Sequence, residues 1–184
     1  MKLKNICFGI VCTVALVGCT DKMDYHEYTN YGKEYVFSDF GRTAAFVNNI
    51  YSYLDYDLLG TTSLASACDE AEMALNYSNV LDYTNGNWTA LNPKSQWNYY
   101  TPIRAANYFL ENGLNLEFSD LILNQDYEAQ MKRYGRYQYE VRLLRAYYYF
   151  LLVRAYGDVP FTTKVLTEAE ANSLERTPAS QVFD

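Results

Sequence analysis

The sequence predicts an all-α fold, and three observations predict it. Apolar residues recur at three- and four-residue steps in three separate stretches, the period of one helix face. Start and stop signals bracket those stretches: Ser38 and Asp39 before the first, Gly113 after the second, Gly157 and Pro160 after the third. Of the 184 residues, 49% are hydrophobic, which supports a real core and speaks against disorder.

Taken in order, the first eighteen residues read as a leader rather than fold. Lys2 and Lys4 form a basic n-region, and Ile6 to Val17 is an apolar stretch too short to span a bilayer. Leu16-Val17-Gly18-Cys19 follows and resembles the bacterial lipobox, in which the cysteine is lipidated and becomes the first mature residue. Cys19 is therefore the expected lipidation site, and several acyl chains on one terminus anchor a protein stably. Cys7 and Cys12 leave with the leader, so only Cys68 remains free and no intrachain disulfide is expected. The formal net charge is −7, and losing Lys2 and Lys4 makes the remainder more acidic still. That balance argues against nucleic acid and against a polybasic membrane surface.

Residues 19–37 are polar and Tyr-rich, without a clean period, and read as a lipidated tether and lead-in. A helix follows on Phe40, Ala44, Val47, Tyr51 and Leu54, with Ser38 or Asp39 capping its start. Residues 60–93 are the least regular part. A short helical piece is expected around Asp69 to Leu75. "YSNVLDYTNGNWTALNP" then reads as a loop with a turn at Asn85-Gly86. A loop of this length in a compact domain usually carries function, and it holds Trp88, one of two tryptophans.

The second helix lies in "SQWNYYTPIRAANYFLENG", where Trp97, Tyr100, Ile103, Asn107 and Leu110 share a side. Pro102 kinks it or sets a new start, and Gly113 suits the position after its end. The longest pattern runs from Asp126 to Tyr156 and ends in "RLLRAYYYFLLVRAYGDVP". Only eight uncharged residues, Ala146 to Val153, lie in a row there, against about twenty for a membrane helix. Tyr147, Tyr148 and Tyr149 point about 100° apart, so they cannot make one flat platform for a sugar. The segment reads as a core helix, with Arg145 and Arg154 extending outward or pairing with carboxylates such as Glu140. Thr177-Pro178 reads as a cap and first turn of a helix over 179–183. The pattern stops there, barely one turn in, which reads as a cut inside a larger fold.

These segments together resemble the SusD/RagB family of outer-membrane nutrient-binding lipoproteins. The resemblance rests on the lipobox at Cys19, "NNIYSYL" at 48–54, "CDEAE" at 68–72 and "WNYYTPIRAANYFLENG" at 97–113. "EVRLLRAYYYFLLVRAYGDVPF" at 140–161 and "RTPASQVFD" at 176–184 complete it. It spans the chain but only the amino-terminal part of the family's length. It implies a helical scaffold of the tetratricopeptide-repeat type, here in residues 38–184, after a leader (1–18) and tether (19–37). Repeats of this kind bury their faces by stacking, so a partial array is poorly capped. The resemblance also implies a surface protein of the outer membrane that binds a glycan or other nutrient. Its partner would be a SusC-like TonB-dependent transporter, over which it acts as a lid. Pro102 departs from the family, whose members run an unbroken helix there.

For a sugar ligand, aromatic faces stack on pyranose rings while carboxylates and amides hold hydroxyls. Trp88 with Asn85 and Asn87 carries that chemistry, and local loop packing is its alternative. Asp69 is the second candidate, placed where the family's "DE" motif approaches the ligand face; helix capping or a salt bridge is the alternative for Asp69 and Glu70. Trp97 sits on a core-like face. The lone His26 lies in the tether without companions, so no metal site is expected, and no cofactor either. Cys68 reads as a small buried hydrophobe. A surface glycoside hydrolase using Asp69, Glu70 or Glu72 competes with the binding reading. Glu70 and Glu72 point to different sides of a helix, which speaks against that pair. The third possibility is a helical adaptor that binds protein alone.

Overall fold

The computed structural model describes residues 32–54, 64–74, 80–91 and 95–183. The candidate lipidation site Cys19, with His26, lies outside these residues.

The chain opens with α1 (Lys33–Phe37), inside the segment read as tether. Its last residue, Phe37, is buried against Phe46, Tyr108 and Phe109. One apolar ring at a helical step from Phe40 is enough to pull this turn into the core. Helix α2 (Phe40–Tyr51) follows, and Asp39 is its cap, accepting from the Arg42 backbone N–H at 2.7 Å. Arg42 also donates to the Tyr35 carbonyl at 2.7 Å and lies over the Tyr35 ring, which fixes the angle between α1 and α2.

The second long element begins as a 3₁₀ turn, Trp97–Tyr99, that runs directly into α4 (Tyr100–Asn112). Pro102 is the third residue of α4. Its missing N–H falls among the donors that have no partner in a first turn, so it marks a start rather than a kink. Gly113 follows α4 at a φ of −103°, not in the left-handed region. What requires glycine is space: a Cβ there would stand 2.6 Å from the Phe109 ring.

Helix α5 (Tyr127–Tyr156) is thirty residues long and carries the Tyr-rich run. Gly157 ends it at φ 71°, a conformation that a side chain resists. Beyond it β1 (Val159–Pro160) pairs antiparallel with β2 (Arg176–Thr177), and α6 (Glu168–Ser173) lies between them. Helix α6 has a capping box: Thr167 and Glu170 satisfy each other's backbone N–H groups, which holds the Glu170 carboxyl below its ordinary range. The last helix, α7 (Ala179–Val182), is not capped by Thr177, as the sequence suggested. Thr177 is drawn into β2, and the Asp158 carboxylate accepts from Ala179 N–H at 2.9 Å instead.

The core lies where α2, α4 and α5 meet: Val47 and Ile50 from α2, Ile103, Ala106 and Phe109 from α4, and Tyr137, Val141, Leu144, Tyr148 and Leu152 from α5. The three successive tyrosines divide as their 100° steps require. Tyr148 is fully buried and its hydroxyl donates to the Ile50 carbonyl; Tyr149 is buried and its hydroxyl both donates to and accepts from the Thr162 backbone. Tyr147 faces outward. Arg145 pairs not with a carboxylate but with the side-chain carbonyl of buried Asn107, at 2.7 Å, while Glu140 accepts from Tyr51. Asn107 also donates to the Thr162 and Lys164 carbonyls, so one polar side chain on α4 ties α5 to the following loop.

Candidate functional site

Among the described residues of 64–91 there are two short pieces. A 3₁₀ turn covers Leu64–Ala67, earlier than the helical piece expected around Asp69 to Leu75; Asp69 and Glu70 lie in the turn beyond it, and 71–74 are not helical. The described part of the loop "YSNVLDYTNGNWTALNP" contains a helical turn, α3 (Leu81–Thr84), with Asn85 as its C-cap. Val80 buries just ahead of α3.

The Asn85-Gly86 turn then reverses the chain. Asn85 Oδ1 accepts from Asn87 N–H at 3.0 Å, the Asx geometry that favours asparagine in turns. Asn87 Nδ2 donates to Asp82 Oδ1 at 3.2 Å, and Trp88 N–H donates to the Asp82 carbonyl at 3.1 Å. These bonds bring Trp88 back over Tyr83. The two rings meet edge to face with centroids 4.8 Å apart, yet Trp88 remains 57% exposed and Tyr83 39%. Local packing and outward presentation therefore hold together for Trp88.

Against α3 lies a cleft of about 380 Å³ lined by Ser66, Cys68, Asp69, Ala71, Glu72 and Thr84. Thr84, which lines the cleft, is the chain neighbour of Tyr83 on α3. The sequence selected Trp88, Asn85, Asn87 and Asp69. The structure places the first three on one turn and Asp69 in the cleft beside it. Asn85 and Asn87 spend polar atoms on building the turn. Among the described residues, neither Asp69 nor Glu70 caps a helix. Tyr83 went unnoticed in the sequence; its signal was a second aromatic five residues before Trp88 across an Asn-Gly turn. Cys68 is exposed, not buried, with its thiol on the Ala65 carbonyl.

Asp69 and Glu72 come from one short segment, and Thr84 faces them from α3. Hydrolases need carboxyl groups on opposite sides of the bond they break, about 5–9 Å apart. Among the described residues, no group of three His, Cys, Asp or Glu side chains is placed to hold a metal ion. No helix among them is long and apolar enough to cross a membrane.

Other surfaces hold aromatic or apolar groups too. Trp97 is not in the core: it stacks on Tyr156 at 3.8 Å between centroids and stays partly exposed, with Arg176 over it. A cavity of about 290 Å³ opens between α4 and residues 160–174, lined by Tyr100, Ile103, Arg104, Lys164 and Leu174 among others. Its lining is mostly apolar, which suits sugar hydroxyls less than the carboxylate-lined cleft does.

Residues 24–184 match a SusD-like family described as starch-binding and associating with the outer membrane. Among solved structures, a SusD-like protein from Bacteroides fragilis superposes with a TM-score of 0.61 at 23% identity. The match covers 84% of this chain and 28% of that one, so the chain spans just over a quarter of the length of that structure. No curated protein matches.

Proposed function

Because the chain belongs to the SusD-like family, we propose that it is the amino-terminal part of a glycan-binding protein of the outer membrane, without catalysis of its own. One observation carries the ligand reading: Tyr83 of α3 is exposed with Trp88 packed on it, and its chain neighbour Thr84 lines a cleft with Asp69 and Glu72. A pyranose ring takes an aromatic face on one side and carboxylate or hydroxyl acceptors at its edge. The family's description as starch-binding supports an α-glucan as the first ligand to try. We further propose lipidation at Cys19, exposure at the cell exterior, and handover of the glycan to a SusC-like TonB-dependent transporter. The lipobox and the family resemblance support this part.

Titration calorimetry with maltoheptaose tests the ligand reading. Binding by the chain, weakened in Trp88→Ala and in Asp69→Asn, is the expected result. Equal affinity in all three removes the site, and release of shorter sugars on incubation replaces the binding reading with hydrolysis. Labelling with an alkyne fatty acid, lost in Cys19→Ser, checks the anchor. Co-purification of the transporter from outer membranes checks the handover.

A further inference from the structure

Helix α4 carries a polar stripe. Tyr100, Arg104, Asn107 and Glu111 follow spacings of four, three and four, which puts them on one side of the helix. That stripe meets the chain beyond β1. Tyr100 Oη donates to the Pro160 carbonyl at 2.6 Å, and Arg104 Nη1 to the Leu166 carbonyl at 2.9 Å. Between them, Asn107 Nδ2 donates to the Thr162 and Lys164 carbonyls at 3.3 and 3.0 Å. Glu111 Oε1 accepts from Val165 N–H at 2.8 Å. From α5, the Tyr149 hydroxyl donates to the Thr162 carbonyl at 2.8 Å and accepts from Thr162 N–H at 2.9 Å.

Every second carbonyl from Pro160 to Leu166 therefore ends on a side chain of the helix pair. Among the described residues, the main chain of 162–166 bonds side chains alone. Backbone polar groups must find partners, and here the stripe stands where a neighbouring strand would. The Thr163 and Lys164 side chains take no part in the bonds to the helices.

Two of the clasping groups are shared and buried. Asn107, 1% exposed, holds two carbonyls and also accepts from Arg145 Nη1 at 2.7 Å. Tyr149, 3% exposed, holds both polar groups of Thr162. Bonds that share a buried group are coupled, so loosening one loosens its neighbours. The amides of α4 and α5 sit in their own helical ladders and do not depend on the clasp. These bonds are internal to the helix pair and the segment, whatever packs on the outer faces.

We propose that residues 161–166 form a strap clasped by its main chain, and that it opens as one unit while α4 and α5 stay folded. The proposal is independent of the ligand reading, since the strap and the cleft share no residue.

The test is amide hydrogen exchange of the 184-residue chain, followed residue by residue by NMR. Tyr149→Phe keeps the ring and removes the two bonds to Thr162. Exchange at Val165, which is bonded to Glu111 and not to Tyr149, is expected to quicken about fivefold, as loss of one hydrogen bond gives. Val141 and Leu152 in α5 should stay within about twofold. Glu111→Ala tests the same coupling from the other end without touching the core, with Thr162 N–H as the readout. The double variant Thr163→Ala, Lys164→Ala is expected to leave Val165 unchanged. Quickening confined to the residue whose own bond was removed overturns the proposal, because the bonds are then independent. Quickening of the helix amides by the same factor overturns it too, because the strap then opens only with the whole fold. If the double variant quickens Val165 as much as Tyr149→Phe does, side chains hold the strap and the main-chain clasp is wrong.

Discussion

The core around α5 and the surface at 80–91 use the same residue chemistry for opposite ends. Tyr148 and Trp88 are both large rings with one polar tip. Tyr148 is wholly buried, stacked near Tyr99, with its hydroxyl on the Ile50 carbonyl of another helix. Trp88 rests on Tyr83, and its backbone is held by the turn that carries it. The first ring is fixed by residues far away in the chain, the second by residues within six positions. A side chain held only by its own loop can be removed without loosening the fold. That freedom is what a binding surface needs and what a core cannot have.

The comparison can be broken most strongly at Tyr148. Tyr148→Ala is expected to lower stability by about 4 kcal/mol, in the range of large aromatic truncations, measured by urea unfolding. Tyr148→Phe should cost about 1 kcal/mol, the value of one hydrogen bond. A loss under 1 kcal/mol for the alanine variant would erase the distinction between the two regions.

Alkaline pH acts on the core. Burial raises the hydroxyl pKa of Tyr100, Tyr134, Tyr137 and Tyr149, and of Tyr51 beside Glu140. Above about pH 10 the unfolded chain releases tyrosine protons that the native chain keeps. The native state then binds more protons, so stability falls as pH rises past that point. The thermal midpoint should be flat from pH 8 to 9.5 and drop steadily beyond about pH 10, with tyrosinate absorbance rising along the unfolding transition.

Asn107→Ala sharpens the picture from the polar side. It removes the bonds of Asn107 to Arg145 and to the Thr162 and Lys164 carbonyls, and a cost of about 2 kcal/mol is expected. Protease cleavage within 160–166 should quicken before the helices unfold. The smallest change in stability belongs to Trp88→Ala, within about 0.5 kcal/mol, as for exposed sites. Its maltoheptaose affinity should nonetheless fall about tenfold, equivalent to about 1.4 kcal/mol. A marked loss of stability instead would place Trp88 with the core.

Much of the helical framework was legible because helix signals are local. The period from Phe40 to Tyr51, the Asp39 cap, and the long run stopped by Gly157 can all be read within a turn or two, while the period carried on to Leu54, three residues past the helix end. Trp88 and Asp69 were legible as chemistry. The cleft that Asp69 shares with Thr84 of α3 was not, since it depends on α3 packing against the 3₁₀ turn. Thr177 misled because a cap signal of Thr before Pro carries no information about a strand partner eighteen residues earlier.

By itself, then, the sequence determined the all-α class, the existence of the three long helices and the stop of the longest at Gly157, and the separation of Tyr147, Tyr148 and Tyr149 onto three faces. Those follow from a fixed 3.6-residue turn and from backbone preferences at each position. Tertiary structure alone decided which of those faces was covered. It buried Tyr148 and Tyr149, left Tyr147 and Leu143 outside, drew Phe37 inward, and put Trp97 and Cys68 at the surface. Burial depends on which distant elements arrive against a face, and periodicity carries no record of the neighbour.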